Sequence, residues 1–348
     1  MIAWVKGRNE KVKMAAFGEV MMRLNSPYGK RLTDPGSLDV LFGGAEANVC
    51  VFLSGLGLFT RLITSLPEND LGMAAIDRLR AHGIDLSSAV SGMGRMGLYF
   101  TENGHMLRAS RVLYDRKASA FSMLQKGMID WAKAFEAVEW FHWSGISPAI
   151  SANAAAVCLE ALQEAKRLGV PVSVDLNYRS SLWDYGSAPK DIMPELISYC
   201  DVVVGDIHAA SIYFAIELKK DLSVTDQFRY CAAHMKSVFK SLHTIAFSFR
   251  NNDDQHRENY SGAMLHDHEY HFSPVSVIPQ VVDRIGTGDA FCAGLIYSIL
   301  NNFKGQDMIE FAVACGVLKH SINGDFARIS SNEVNEFIKQ GPGNRVIR

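Results

Sequence analysis

The stretch Asp283–Leu295, DRIGTGDAFCAGL, places two glycines and a carboxylate where an apolar strand gives way to an apolar helix. In an open α/β sheet, ligands bind beyond the carboxyl ends of the strands, where a helix N-terminus offers unpaired N–H groups and a positive dipole end. Gly286, Thr287 and Gly288 are placed to bring bare backbone against a phosphate. Asp289, just inside the helix, is placed to take a proton from an attacking hydroxyl. A tight turn capped by an acid has the same local spacing. The stretch is not a Walker loop, which needs GxxxxGK[ST]. Nor is it GxGxxG, because after Gly288 the residues Asp289-Ala290 are followed by Phe291 rather than glycine, which gives little support to a nicotinamide site.

Outward from this turn, the chain from about residue 129 alternates amphipathic helix with short apolar strand. NAAAVCLEALQEAKRLG carries Val157, Ala161, Leu162, Ala165 and Leu168 at helical spacing, closes on Gly169 and leads into VPVSVDLN. DIMPELISYC before DVVVGD, and FRYCAAHMKSVFKSL before HTIAFSF, repeat the scheme. The pattern predicts an α/β fold with a mainly parallel sheet covered by helices on both faces. The first 120 residues differ. SLDVLFGG and MGLYFTENGHMLRASRVLYDR read as strands inserted between the helical segments EANVCVFLSGLG and MAAIDRLRAHG, giving a small β lid, about 30–43 and 96–116, over the ligand end of the sheet. No long linker or repeat divides the chain, so 13–340 reads as one domain behind an N-terminal extension, 1–12.

Composition narrows the partners. With 35 basic and 37 acidic residues the charge is nearly balanced, which gives no general affinity for nucleic acid or anionic membrane. No uncharged apolar run reaches the roughly 18 residues of a membrane span, and no signal peptide is evident. The six cysteines are scattered without a CxxC pair, which fits a reducing cytoplasm. HDHEYH, His266 to His271, would set His266 and His268 on one face of an extended strand, but without further ligands it reads as an exposed hairpin and no metal is assigned to it.

DRIGTGDAFCAGL resembles the carboxy-terminal signature of the PfkB, or ribokinase-like, carbohydrate kinases, and GGAEANVCVFLSGLG (Gly43 to Gly57) resembles their amino-terminal signature. The resemblance runs from about Lys13 over nearly the whole chain and is strongest to the 2-keto-3-deoxygluconate kinases, through GGAEAN, GLYF, VLYDRKASA, DLNYRSSLW and KHSINGDF. It implies a ribokinase-like three-layer α/β/α core, with ATP and Mg2+ used to phosphorylate the C6 hydroxyl of 2-keto-3-deoxygluconate. It further implies that Asp289 is the catalytic base and that the amides of Gly286, Thr287 and Gly288 form the anion hole for the γ-phosphoryl. Gly44 and Asn48 would contact the sugar acid, Tyr99, Tyr114 and Arg116 would reach in from the lid, Arg179 would meet the carboxylate, and Asp325 would hold a hydroxyl. Ser248 and Arg250, with Gly286 and Gly288, would meet the nucleotide.

Guanidinium matches carboxylate in a bidentate way, so two arginines favour a keto acid over a neutral sugar. Otherwise each arginine would be a surface residue paired to an acid such as Asp115 or Asp184, and each tyrosine would be sheet packing. The chain departs from the family within DVVVGDIHAA, where Asp206 replaces the usual Asn and Ala209 the usual acid, and near Ser248, where a Thr is usual. Another PfkB-type sugar kinase acting on fructose, or a non-catalytic sugar-acid-binding homologue, are the alternatives. The lid presents Val40, Leu41, Phe42, Leu98 and Phe100 on a sheet too small to bury both faces, which predicts pairing with a second lid in a homodimer.

Overall fold

The structure, a computed structural model, describes residues 11–34, 36–104, 108–253 and 257–341. A nine-stranded sheet forms its centre. From one edge the order is Glu269–Phe272, Glu258–His266, Thr244–Asn252, Val202–Gly205, Val172–Asp175, Phe141–Ser144, Met14–Phe17 and Thr60–Ile63, with Ser276–Ile278 also on Glu258–His266. From Thr244–Asn252 to Thr60–Ile63 every pairing is parallel, and the pairings of Glu258–His266 are antiparallel.

The run DVVVGD shows why three layers form. Val203 joins one apolar core, with the helices Ala152–Leu168, Pro189–Ile197, Ile207–Phe214 and Val224–Val238. Its neighbours Val202 and Val204 point the other way, into the core shared with Ala45–Gly55, Asp70–Ala81, Thr287–Leu300 and Gly305–Lys319. A strand apolar on both faces can be satisfied only by helices above and below. Local signals set the helix ends: Ser151 accepts from the amide of Ala154 at 3.1 Å, and Gly169 closes the same helix at φ 69°.

The lid is a second sheet in the order Asp39–Gly43, Met21–Asn25, Gly97–Glu102, Arg111–Asp115. This differs from the sequence expectation in two ways. Among the described residues of 30–43 only Asp39–Gly43 is strand. The inner strand comes instead from MAAFGEVMMRL, which reads as one strand but breaks at Gly18-Glu19-Val20, so that Met14–Phe17 stays in the central sheet while Met21–Asn25 enters the lid. The domain start also shifts: Val12 is buried and bridges Val138, so the folded body includes it. Residues 1–10 lie outside the described residues.

The hairpin reading of HDHEYH holds, but Asp267 and His268 form its turn at φ 43° and 74°, so His266 and His268 do not share an extended face. All six cysteines are buried and free.

Candidate active site

The carboxyl ends of the parallel strands, the Thr287–Leu300 N-terminus and the polar face of the lid enclose a cleft of about 880 Å³. Gly286, left-handed at φ 84°, caps the helix, and a Cβ placed on Gly288 would meet no atom within 4 Å, so the backbone there borders open cleft. Asp289, one residue further, is 8 % exposed and accepts a 2.6 Å hydrogen bond from Asn48 Nδ2. The Asn48 Oδ1 has no partner among the described residues. Burial pushes the Asp289 carboxyl up to about 7 against the Asn48 hydrogen bond, with Asp325 and Glu46 adding to the rise. Asp175, at the end of its strand, is pushed up to about 8 by burial and then by Asp289.

Beneath the lid lies a charged network that the sequence reading missed. Arg23, fully buried, donates from Nη1 to Asp283 Oδ2 at 2.8 Å and to Asp325 Oδ1 at 3.0 Å, and from Nε to Thr101 Oγ1 at 2.8 Å. Tyr99 donates to the second Asp325 oxygen at 2.5 Å. Asp325 is thus fixed through both oxygens before any ligand arrives. The usable signal was a lone arginine inside an apolar strand, MMRLN, where an unpaired charge is too costly to bury.

The remaining predicted residues also line the cleft. Gly44 caps Ala45–Gly55 at φ 157°, and a Cβ there would overlap the carbonyl oxygen of Glu19. Tyr114 lies 6.2 Å, centroid to centroid, from Tyr99 on the same lid face. Ser248 and Arg250 line the cleft from the strand Thr244–Asn252, where Arg250 Nη2 donates to Thr287 Oγ1 at 2.6 Å. The two arginines differ. Arg116 is buried and held by Glu19, Nε to Oε2 at 2.7 Å, whereas Arg179 is exposed in the cleft and makes no ion pair within 4 Å among the described residues. Asp115 and Asp184 are engaged elsewhere, with Arg95 and Lys117 respectively. Glu46 is another buried site acid without a sequence signal; it accepts from Ser144 Oγ at 2.6 Å, and burial raises its pKa.

Asp206 does line the cleft, and its side chain caps Ile207–Phe214 by accepting from the Ala209 amide at 2.8 Å. Ala209 does not reach the cleft: it is wholly buried in the apolar core. The position at which the resemblance implies an acid is thus part of the apolar core and not of the cleft lining.

Comparison with known proteins shows the family. The family model described as pfkB family carbohydrate kinase matches residues 11–325. A 2-dehydro-3-deoxygalactonokinase of Haloferax volcanii is 30 % identical over 94 % of this chain and 97 % of its own. The crystal structure of a 2-dehydro-3-deoxygluconokinase from Thermotoga maritima superposes with a TM-score of 0.89 at 35 % identity, covering 94 % of this chain and 99 % of that one. A 2-dehydro-3-deoxygluconokinase of Thermoproteus tenax is 25 % identical over 94 % of both chains. With a ribokinase-like core, a glycine turn and a buried carboxylate at one cleft, the chain belongs to the pfkB family of carbohydrate kinases.

Proposed function

We propose that the protein transfers the γ-phosphoryl of ATP to the C6 hydroxyl of 2-keto-3-deoxygluconate. Relatives named for both 2-dehydro-3-deoxygalactonate and 2-dehydro-3-deoxygluconate support a sugar-acid substrate. The observation that carries the reading to this chain is Arg179: a cation without an ion-pair partner among the described residues, in the same cleft as Asp289. A neutral sugar has no use for it, whereas a carboxylate pairs with it in a bidentate way.

In this reading Arg179 holds the carboxylate, Tyr99, Tyr114 and Arg116 close over the sugar, and Gly44, Asn48 and Asp325 take its hydroxyls. Asp289 accepts the proton of the C6 hydroxyl as its oxygen attacks; a base near neutrality suits that task. The backbone of Gly286, Thr287 and Gly288 meets the negative oxygens of the transferring group, and Ser248 and Arg250 face the nucleotide. Positioning and charge stabilisation supply most of the acceleration in such transfers.

Asp175 ends its strand, Asp206 follows the adjacent parallel strand Val202–Gly205, and both offer the oxygen donors that magnesium prefers, so the residues present fit the ion. Bound with ATP, magnesium neutralises phosphate charge. The test is ADP release with ATP, magnesium and the keto acid. Equal turnover of fructose would remove the sugar-acid assignment, and sugar-acid binding without ADP release would leave a non-catalytic binding protein.

A further inference from the structure

Glu258 opens the strand Glu258–His266 at the rim of the cleft, and it is buried, with 4 % of its surface exposed. Its Oε2 accepts from Arg284 Nε at 2.6 Å. Its Oε1 lies 2.9 Å from His320 Nε2 and 3.3 Å from Arg250 Nε. The other ring nitrogen of His320 is 2.7 Å from the carbonyl oxygen of Gly316, so the imidazole is pinned at both ends. Burial alone would raise the Glu258 carboxyl, but His320, Arg250 and Arg284 bring it down to about 2.

The two guanidiniums are oriented differently from the carboxylate that holds them. Their side chains are 41 % and 46 % exposed, and both line the cleft. Arg250 reaches Thr287, the first residue of the glycine-turn helix, and Arg284 lies two residues before Gly286. One carboxylate against two guanidiniums leaves one net positive charge, presented at the positive end of a helix dipole. Two like charges side by side would splay apart in water; a shared buried carboxylate offsets their repulsion and fixes their planes, which is what bidentate capture of phosphate oxygens requires.

We infer that Glu258, braced by His320, is a positioning residue that aims Arg250 and Arg284 together at the phosphates of the bound nucleotide. The inference rests on the kinase reading above. Arg284 joins Arg250 as a phosphate ligand, while Glu258 touches no substrate and acts through the pair.

A structural staple would give the same contacts but a different response. Glu258→Gln keeps the shape and removes the charge; Arg284→Met removes one half-exposed cation and leaves the buried carboxylate with Arg250 and His320. The measurements are dissociation constants for ADP and for adenosine, with melting curves for each variant. Each substitution is expected to weaken ADP by about tenfold to a hundredfold, the worth of a charge-assisted hydrogen bond, with adenosine changed less than twofold. The double variant should lose less than the sum of the two, because both disable one unit. Equal losses for ADP and adenosine, or unchanged ADP binding in a folded Arg284→Met, would overturn the assignment. Failure of the wild type to bind ADP would overturn the kinase reading itself and this inference with it.

Discussion

Replacing Asp289 by asparagine separates catalysis from folding, because the two should move in opposite directions. The buried carboxyl is pushed up to about 7 from an ordinary 3.8. At pH 8 both folded and unfolded chains carry the charge, and the folded chain holds it at a cost of about 4 kcal/mol, some three pKa steps at 1.36 kcal/mol each. As pH falls below 7 the folded carboxyl takes up its proton first, so the cost shrinks, and it vanishes below the unfolded value. An asparagine never carries that charge and can still pair with Asn48. Asp289→Asn should therefore melt roughly 8 °C higher than wild type at pH 8, with less than half that gain in free energy at pH 5. Loss of Asp289 also removes the neighbour that raises Asp175, which adds to the gain in the same direction. Turnover should fall by about a hundredfold to ten-thousandfold, because the amide cannot accept the hydroxyl proton. Calorimetric melts at the two pH values, with ADP release at saturating substrates, give both quantities. A variant that keeps near-normal kcat, or that gains nothing at pH 8, would refute the assignment of Asp289 as a buried base.

In the wild type, kcat/KM should decline as pH drops through about 7, where Asp289 becomes protonated; a flat profile from pH 8 to 6 would count against it. Arg179→Ala should raise KM for the keto acid with little change in Tm or in KM for ATP. Arg116→Ala should raise KM and also lower Tm, because it leaves the buried Glu19 unpaired at a cost of about 3–5 kcal/mol. Arg23→Met should be the most destabilising of the arginine changes, since it strands two buried carboxylates; a Tm within a degree of wild type would contradict that. The outer face of the lid exposes 56 % of Val40 and 61 % of Leu113, so light scattering should show a homodimer that Leu113→Asp converts to monomer.

The parts of the fold legible in the sequence were those governed by neighbours along the chain. The apolar run DVVVGD and the helical spacing of Val157, Ala161, Leu162 and Ala165 each carry their own period, and both were realised as read. Asp289 and its glycines announced themselves because a turn, a cap and a carboxylate fall within four residues. Arg23 did not, because the Asp325 that justifies its burial lies 302 positions away and no local pattern encodes that meeting. Glu19 was hidden for a related reason: the break between the two sheets falls inside a run with unbroken strand character. On the lid, Phe42 and Leu98 pack partly against the helical core, a contact between distant segments that strand alternation alone does not encode.

Arg23 limits how this enzyme can admit its substrate. It sits on an inner lid strand, yet its guanidinium is clasped by carboxylates from the turn before Thr287–Leu300 and from the segment after Gly305–Lys319. Swinging that strand outward would leave a cation and two anions apart in a dry interior, at a cost of several kcal/mol. The inner lid is thus fixed to the floor, and flexing falls to the outer strand Arg111–Asp115, where every residue but Tyr114 is exposed. On this geometry entry and release would bend a rim rather than lift a door, with Tyr114 carried on that rim while Tyr99 and Asp325 stay joined to each other.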